Sequence, residues 1–285
     1  MKRYYSFAGV NICIQGSDEY MYKDELMLEV FRVEYLDNPD IFYFTVVEEL
    51  KKPNGKLYGY SMECMEYVSD EGIYQYVGTM QQEWNNAYML IEHIGKEHFV
   101  SVKSSVLRGV LSVNIVYKAL MTERLMKNMN TIIMHASFIE HNGTAILFTA
   151  PSGIGKSTQA DLWKQHRGAQ VINGDRVAIR YKDNQLYACG VPFAGSSNIC
   201  ENKSFPLVAI VSLEQAEKTT AKVLKGVEAF KSIYANCGVI TWDRAHVEFV
   251  SDFIENLLKR VSVFHLKCTP DESAIVALED GLREQ

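Results

Sequence analysis

Residues 150–157 read Ala-Pro-Ser-Gly-Ile-Gly-Lys-Ser, and no other segment of the chain has residue types and spacing so suited to chemistry. The pattern is that of a phosphate-binding loop, G-x-x-x-x-G-K-[S/T], with Ala150 in place of the first glycine. Gly153 and Gly155 let the backbone wrap closely around phosphate oxygens without a Cβ in the way. The backbone N–H groups from Ser152 through Gly153, Ile154, Gly155, Lys156, Ser157 and Thr158 then face the anion at a helix N-terminus. Lys156 supplies a point charge for the β and γ phosphates, and the Ser157 hydroxyl a ligand for Mg²⁺. The expected ligands are therefore ATP, or another nucleoside triphosphate, and Mg²⁺.

Such a site needs a carboxylate near the metal or the attacking group. Asp175 is the best candidate, because it closes an apolar run, Val171-Ile172-Asn173, within the tight segment Asn-Gly-Asp-Arg-Val. Asp161, on the helix after the loop, and Asp183, in a turn, compete less well. His135 ends the run Ile132-Ile133-Met134-His135. It is expected on a strand paired with the one that leads into the loop, where it could orient the carboxylate or shuttle a proton.

These residues need a strand before the loop and a helix after it. The apolar run 144–150 supplies the strand, and helical spacing from about 156 to 166 supplies the helix. Asn142-Gly143 predicts a hairpin turn. Further strands are expected at 170–173, 177–182, 185–189, 207–213 and 261–267, and helices at about 227–235 and 245–259. Thr269, Pro270 and Glu272 predict the start of a last helix, with Thr269 as N-cap. Mixed strands and helices around a phosphate loop indicate an α/β domain over 131–285, with α+β as the alternative.

Upstream, residues 1–105 are rich in Tyr, Phe, Val and Ile in short runs separated by turn signals. Strands are expected at 10–14, 41–47, 73–77, 87–91 and 99–102, in a small β-rich domain. The opening residues read as a first strand rather than a signal peptide. Apolar spacing at Val106, Val110, Val113, Tyr117, Leu120, Met121 and Leu125 predicts a connecting helix over 106–130. His93 and His98, without an acidic frame nearby in sequence, read as surface or half-buried residues.

Composition sets outer limits. The 285 residues carry a net charge of −6, which argues against charge-driven binding to nucleic acid or to an anionic membrane. No apolar run approaches the roughly 20 residues of a membrane span. The six cysteines form no C-x-x-C pair and match no zinc spacing, so free buried thiols in a reducing cytoplasm are expected.

Taken together, His135, the loop at 151–157 and Gly174-Asp175-Arg176-Val177 resemble the catalytic domain of HPr kinase/phosphorylase and its relatives. That family has a His, a strand, a loop of the form G-x-S-G-x-G-K-S, and an apolar strand ending in an Asp pair followed by Arg-Val. The resemblance covers about 131–282 and implies the fold shared with phosphoenolpyruvate carboxykinase. It also implies ATP-dependent kinase activity, with Lys156, Asp175 and His135 as catalytic residues and Ser157 and Asp175 as metal ligands. Here the Asp pair is reduced to Gly174-Asp175, so one carboxylate serves where two are expected, as proton acceptor or as metal ligand. In place of the Arg-Gly signature of the HPr enzymes stands Gly190-Val-Pro-Phe-Ala-Gly195. That segment, with 206–215, 266–274 and 5–9, resembles small HPr-kinase-like proteins, some of which phosphorylate serine on peptides. The resemblance thus implies a peptide or protein acceptor with a serine hydroxyl. The turn with Pro192 and two glycines either suits close approach of an extended acceptor, with Phe193 covering one side of it, or is a rigid loop beside the core. A homo-oligomer stays open. A non-catalytic nucleotide-binding module and an ATP-hydrolysing switch are the rival readings.

Overall fold

The computed structural model describes residues 2–16, 26–79, 83–106 and 113–284. The chain forms two compact units, residues 1–122 with 241–244, and residues 123–240 with 245–285.

The first unit contains β1 (Lys2–Phe7), β2 (Val10–Gln15), α1 (Leu26–Glu29), β3 (Arg32–Val33), β4 (Asp40–Val47), β5 (Lys56–Tyr60), β6 (Cys64–Val68), β7 (Ile73–Val77), β8 (Met89–Ile94) and β9 (Glu97–Lys103). They form one nine-stranded sheet in the order β3-β1-β2-β4-β9-β8-β7-β6-β5. β1 and β2 make a hairpin whose turn, Ala8-Gly9, has φ of 50° and 85°, the double left-handed geometry of a tight hairpin. Tyr5, Phe7, Ile12, Ile14 and Phe42 are fully or almost fully buried. β5 escapes the sequence reading because it is an edge strand whose Leu57, Tyr58 and Tyr60 are about half exposed, so no alternation marks it.

The helix expected over 106–130 is two short ones, α2 (Val113–Ala119) and α3 (Thr122–Asn128). The break falls at Met121, with φ 43°. Leu120 and Met121 are both buried, so the turn keeps the apolar face of the pattern in the interior although the helix itself is interrupted. Val110 lies outside the described residues.

The second unit contains β10 (Thr131–His135), β11 (Ser137–His141), β12 (Thr144–Thr149), α4 (Lys156–Arg167), β13 (Gln170–Asn173), β14 (Arg176–Lys182), β15 (Gln185–Gly190), β16 (Ser204–Gln215), β17 (Thr220–Leu224), α5 (Gly226–Tyr234), α6 (Arg244–Leu257), β18 (Ser262–Cys268) and α7 (Glu272–Arg283). The fold is mixed α/β. The Asn142-Gly143 turn between β11 and β12 has φ of 53° and 77°. β16 is the organising strand: its first residues pair antiparallel with β15, and the rest runs parallel to β12 on one side and β18 on the other. β11 and β13 extend the sheet beyond β12, and β17 pairs with β18. β12 is buried along almost its whole length, as a central parallel strand covered on both faces must be.

Two cores form. On one face Leu147, Ile210 and Val263 pack with Ile233 of α5 and Phe253, Ile254 and Leu257 of α6. On the other Phe148, Val211 and Phe264 pack with Trp163 of α4 and Ile275 and Leu278 of α7. Each of these side chains contributes about 1.5–3 kcal/mol by leaving water, and together they fix α4 against the strand that feeds it.

The last helix starts later than Thr269 predicts. Asp271 is the N-cap, accepting a hydrogen bond from the Ser273 N–H at 2.9 Å. Thr269 Oγ1 instead pairs with Thr219 Oγ1 at 3.2 Å. All six cysteines are free, and all but Cys237 are buried. Among the described residues no helix is long and apolar enough to cross a membrane.

Candidate active site

β12 ends at Thr149 and α4 begins at Lys156, so residues 150–155 form the connecting loop. Gly153 and Gly155 have φ of 81° and 120°. A Cβ at Gly153 would meet nothing within 4 Å, and one at Gly155 only Thr158 at 3.9 Å. These glycines are therefore required by backbone conformation, not by crowding. Gly155 is the N-cap of α4 and no side chain caps the helix. The first helical bond runs from the Gln159 N–H to Gly155 O at 2.9 Å, which leaves the N–H groups of Lys156, Ser157 and Thr158 without intrahelical acceptors. Ser152, Ser157 and Thr158 are exposed, with Ile154 partly buried beside them.

Lys156 bends back over the loop, its Nζ donating to Ala150 O at 2.9 Å and, at 3.5 Å, to Pro151 O. Partial burial draws its ammonium below the ordinary lysine value, while the charge of Asp175 works in the opposite direction. An uncapped helix start, a cation and a loop free of intruding side chains form a donor set that fits a polyphosphate and its Mg²⁺.

Asp175 stands in the two-residue link between β13 and β14. His135 Nε2 lies 3.2 Å from Asp175 Oδ1, and Arg176 Nε lies 3.6 Å from Oδ2. The pair is open to solvent, with 45% of the His135 side chain and 30% of that of Asp175 exposed. Hydrogen bonding to His135 holds the Asp175 carboxyl below the usual aspartate value; burial opposes this, while the charges of His135, Arg176 and Lys156 add to it. Asp175 and Lys156 thus each feel the other's charge.

His135 reaches this place by another route than the sequence suggests. β10 pairs with β14, His135 facing Arg176, and not with β12, whose hairpin partner is β11. The link to β12 is a side chain: Thr149 Oγ1 donates to His135 O at 2.8 Å. The competing carboxylates stay apart: Asp161 sits on the exposed face of α4, and Asp183 pairs with Lys182 in the β14–β15 turn.

Sequence reasoning did not foresee how the neighbours of Asp175 hold it. Asn173 is fully buried. Its Oδ1 accepts the N–H groups of Asp175 and Arg176, both at 2.9 Å, and its Nδ2 donates to Val191 O at 2.8 Å. The signal was present, because an Asn followed by Gly favours an Asx turn, in which the Asn side-chain oxygen accepts the N–H two residues on. Gly195, with φ 55°, packs on the carboxylate so closely that a Cβ there would lie 2.7 Å from Asp175 Cγ. A Cβ at Gly174 would collide with Ser197 Oγ, so a second carboxylate has no room beside Asp175. Phe193 does not cover an open face: it is 6% exposed, turned inward because the Val191–Ala194 run is apolar throughout, and the exposed residue of this segment beside Asp175 is Gly195.

No family model matches the chain, and no curated protein matches it. Among solved structures it is similar to the Hpr(Ser) kinase/phosphatase from Coxiella burnetii, with 14% identity, 53% of this chain and 88% of that chain covered, and a TM-score of 0.32.

Proposed function

We propose that this chain is an ATP-dependent kinase that transfers the γ-phosphoryl group to a serine hydroxyl of a peptide or protein. The observation that carries the reading is an Asp175 carboxylate 3.2 Å from His135 and sensing the Lys156 charge, in a domain whose loop ends at an uncapped helix N-terminus. The free N–H groups of α4 and the loop hold the phosphates, and Lys156 neutralises the β and γ oxygens. The Ser157 hydroxyl and the Asp175 carboxylate would hold Mg²⁺, which would supply further charge neutralisation. The serine oxygen bonds to the γ phosphorus as the bond to the β–γ bridging oxygen breaks, and ADP leaves. The serine proton passes to Asp175. A carboxylate with a lowered pKa is a weak base, which suffices because a loose phosphoryl-transfer transition state releases that proton late. His135 keeps Oδ1 in place, and Arg176 Nε lies 3.6 Å from Oδ2.

The seat beside Asp175, closed to a second carboxylate by Ser197, also favours a second reading, a module that binds ATP without transferring phosphate. Mass spectrometry of serine-containing peptides, and of HPr, after incubation with the full chain and Mg-ATP separates the two. The expected result is phosphoserine on peptide and little or none on HPr, lost in Lys156→Ala. ATP binding with no transfer supports the second reading, and steady phosphate release without acceptor supports an ATP-hydrolysing switch. Efficient transfer to HPr overturns the acceptor assignment.

A further inference from the structure

A nucleotide held by the 150–157 loop has a direction. Asp175 marks the γ-phosphoryl end, and it follows β13, on the β11 side of β12. β16 and β18 run parallel to β12 on its other side, so their carboxyl ends open on the same edge of the sheet as the loop. That crevice is where open α/β sheets take their ligands. The phosphate chain, with its γ end at Asp175, directs the rest of the nucleotide toward β16 and β18.

Two bonds tie those strand ends to the loop and its helix. Gln215, the last residue of β16, donates its Nε2–H to Ile154 O at 3.2 Å. Gln159, two positions beyond Ser157, donates its Nε2–H to Sγ of Cys268, the last residue of β18, at 3.3 Å. Gln159 is 3% exposed, and its Oε1 is buried without a hydrogen-bond partner among the described residues. A buried acceptor left unpaired is costly and calls for a donor from elsewhere. Just past the strand ends, the Ala216 N–H bonds to Cys268 O at 3.1 Å and draws the two loops together. There Thr219 Oγ1 lies 2.7 Å from Ser273 Oγ and 3.2 Å from Thr269 Oγ1.

Charge differs beside the two groups of strands. Arg176 stands beside Asp175, whereas Lys267 of β18 is paired with Glu214 of β16 at 2.9 Å. On the β18 side the Asp271 carboxylate caps α7, is kept ionised by hydrogen bonds from Ser273 and Thr269, and makes no ion pair among the described residues. A negative charge there repels phosphate and suits the uncharged end of a nucleotide.

We propose that the loops following β16 and β18 form the nucleoside subsite, with the Thr219 and Ser273 hydroxyls hydrogen-bonding the nucleoside whose phosphates the 150–157 loop holds. Each hydroxyl both donates and accepts, which matches the vicinal hydroxyls of a ribose. The inference rests on the kinase reading for the identity of the loop. Calorimetry on the full chain with two probes, ATP and inorganic tripolyphosphate, tests it in the double variant Thr219→Val/Ser273→Ala. Ser273 is exposed and Thr219 partly so, and an unchanged thermal melt verifies the fold. Losing two hydrogen bonds should weaken ATP binding about tenfold while tripolyphosphate stays within about twofold. Unchanged ATP binding, or equal weakening of both probes, overturns the subsite. A wild-type chain that binds neither probe overturns the phosphate-loop reading and the subsite with it.

Discussion

Each unit of this chain holds a histidine–aspartate pair, and the two differ in access rather than in residue type. In the first unit His98 Nε2 lies 3.3 Å from Asp40 Oδ1, its Nδ1 lies 2.7 Å from His93 Nδ1, and its ring stacks on Phe42 with centroids 4.3 Å apart. His98 is 5% exposed. Both ring nitrogens face neighbours on β4 and β8, so the imidazole is enclosed, while 25% of the Asp40 side chain stays exposed. In the second unit His135 stands against Oδ1 of Asp175 and Arg176 Nε lies 3.6 Å from Oδ2, yet 45% of the His135 side chain is exposed and the charge of Lys156 acts on the carboxylate. The difference teaches that residue types alone do not set the surroundings of such a pair: the second has an exposed histidine and the charges of Arg176 and Lys156 acting on its carboxylate. The first, with its histidine enclosed, is a polar rivet in a sheet.

The comparison can be broken or sharpened by substitution. The largest effect belongs to the brace on Asp175. Gly195→Ala would drive a Cβ into the carboxylate at a position with φ 55°. We expect phosphoryl transfer to fall by roughly 10²-fold, the usual consequence of displacing a catalytic group by about 1 Å, with ATP affinity retained in calorimetry. Unchanged transfer would show that the carboxylate position does not matter.

A smaller effect concerns acid stability. The folded-state pKa of Asp175 is depressed, so its contribution to stability is present above the ordinary aspartate value of about 3.9 and is lost as pH falls through the folded value. Melting curves of wild type and Asp175→Asn should therefore differ by a gap that narrows as pH falls below about 4. A gap independent of pH would contradict the charged pair.

The smallest effect on chemistry is expected in the first unit. Asp40→Asn removes the charge beside His98 but touches no proposed substrate group. Transfer should stay within about twofold, while the melting temperature falls by about 2–4 °C, as the loss of one partly buried hydrogen bond implies. A large loss of activity would make this pair more than structural.

How much of this was legible follows from where the information sits. The loop, its strand and its helix are local, and residues 144–167 announce them through apolar runs and glycines that need positive φ. Asp175 could be nominated because it ends an apolar strand. What pairs with what is not local. The partner of His135 strand is β14 rather than β12, and the link to the loop is Thr149, a residue indistinguishable in sequence from any other strand threonine. The acid that frames His98 comes from Asp40, 58 residues away, which spacing within 93–98 cannot reveal. Phe193 looked available because its neighbours are turn formers, yet burial of an aromatic ring outweighs turn propensity. β5 and β17 stayed invisible because exposed edge strands need no alternating pattern.

The most direct test of the account is to measure ATP binding and serine phosphorylation side by side in Asp175→Asn. The substitution keeps size and shape but removes the charge that faces Lys156. The account predicts binding of ATP without Mg²⁺ close to wild type by calorimetry, and transfer with Mg²⁺ reduced by roughly 10²-fold or more. Transfer at the wild-type rate would contradict it, since the carboxylate would then have no part in the chemistry.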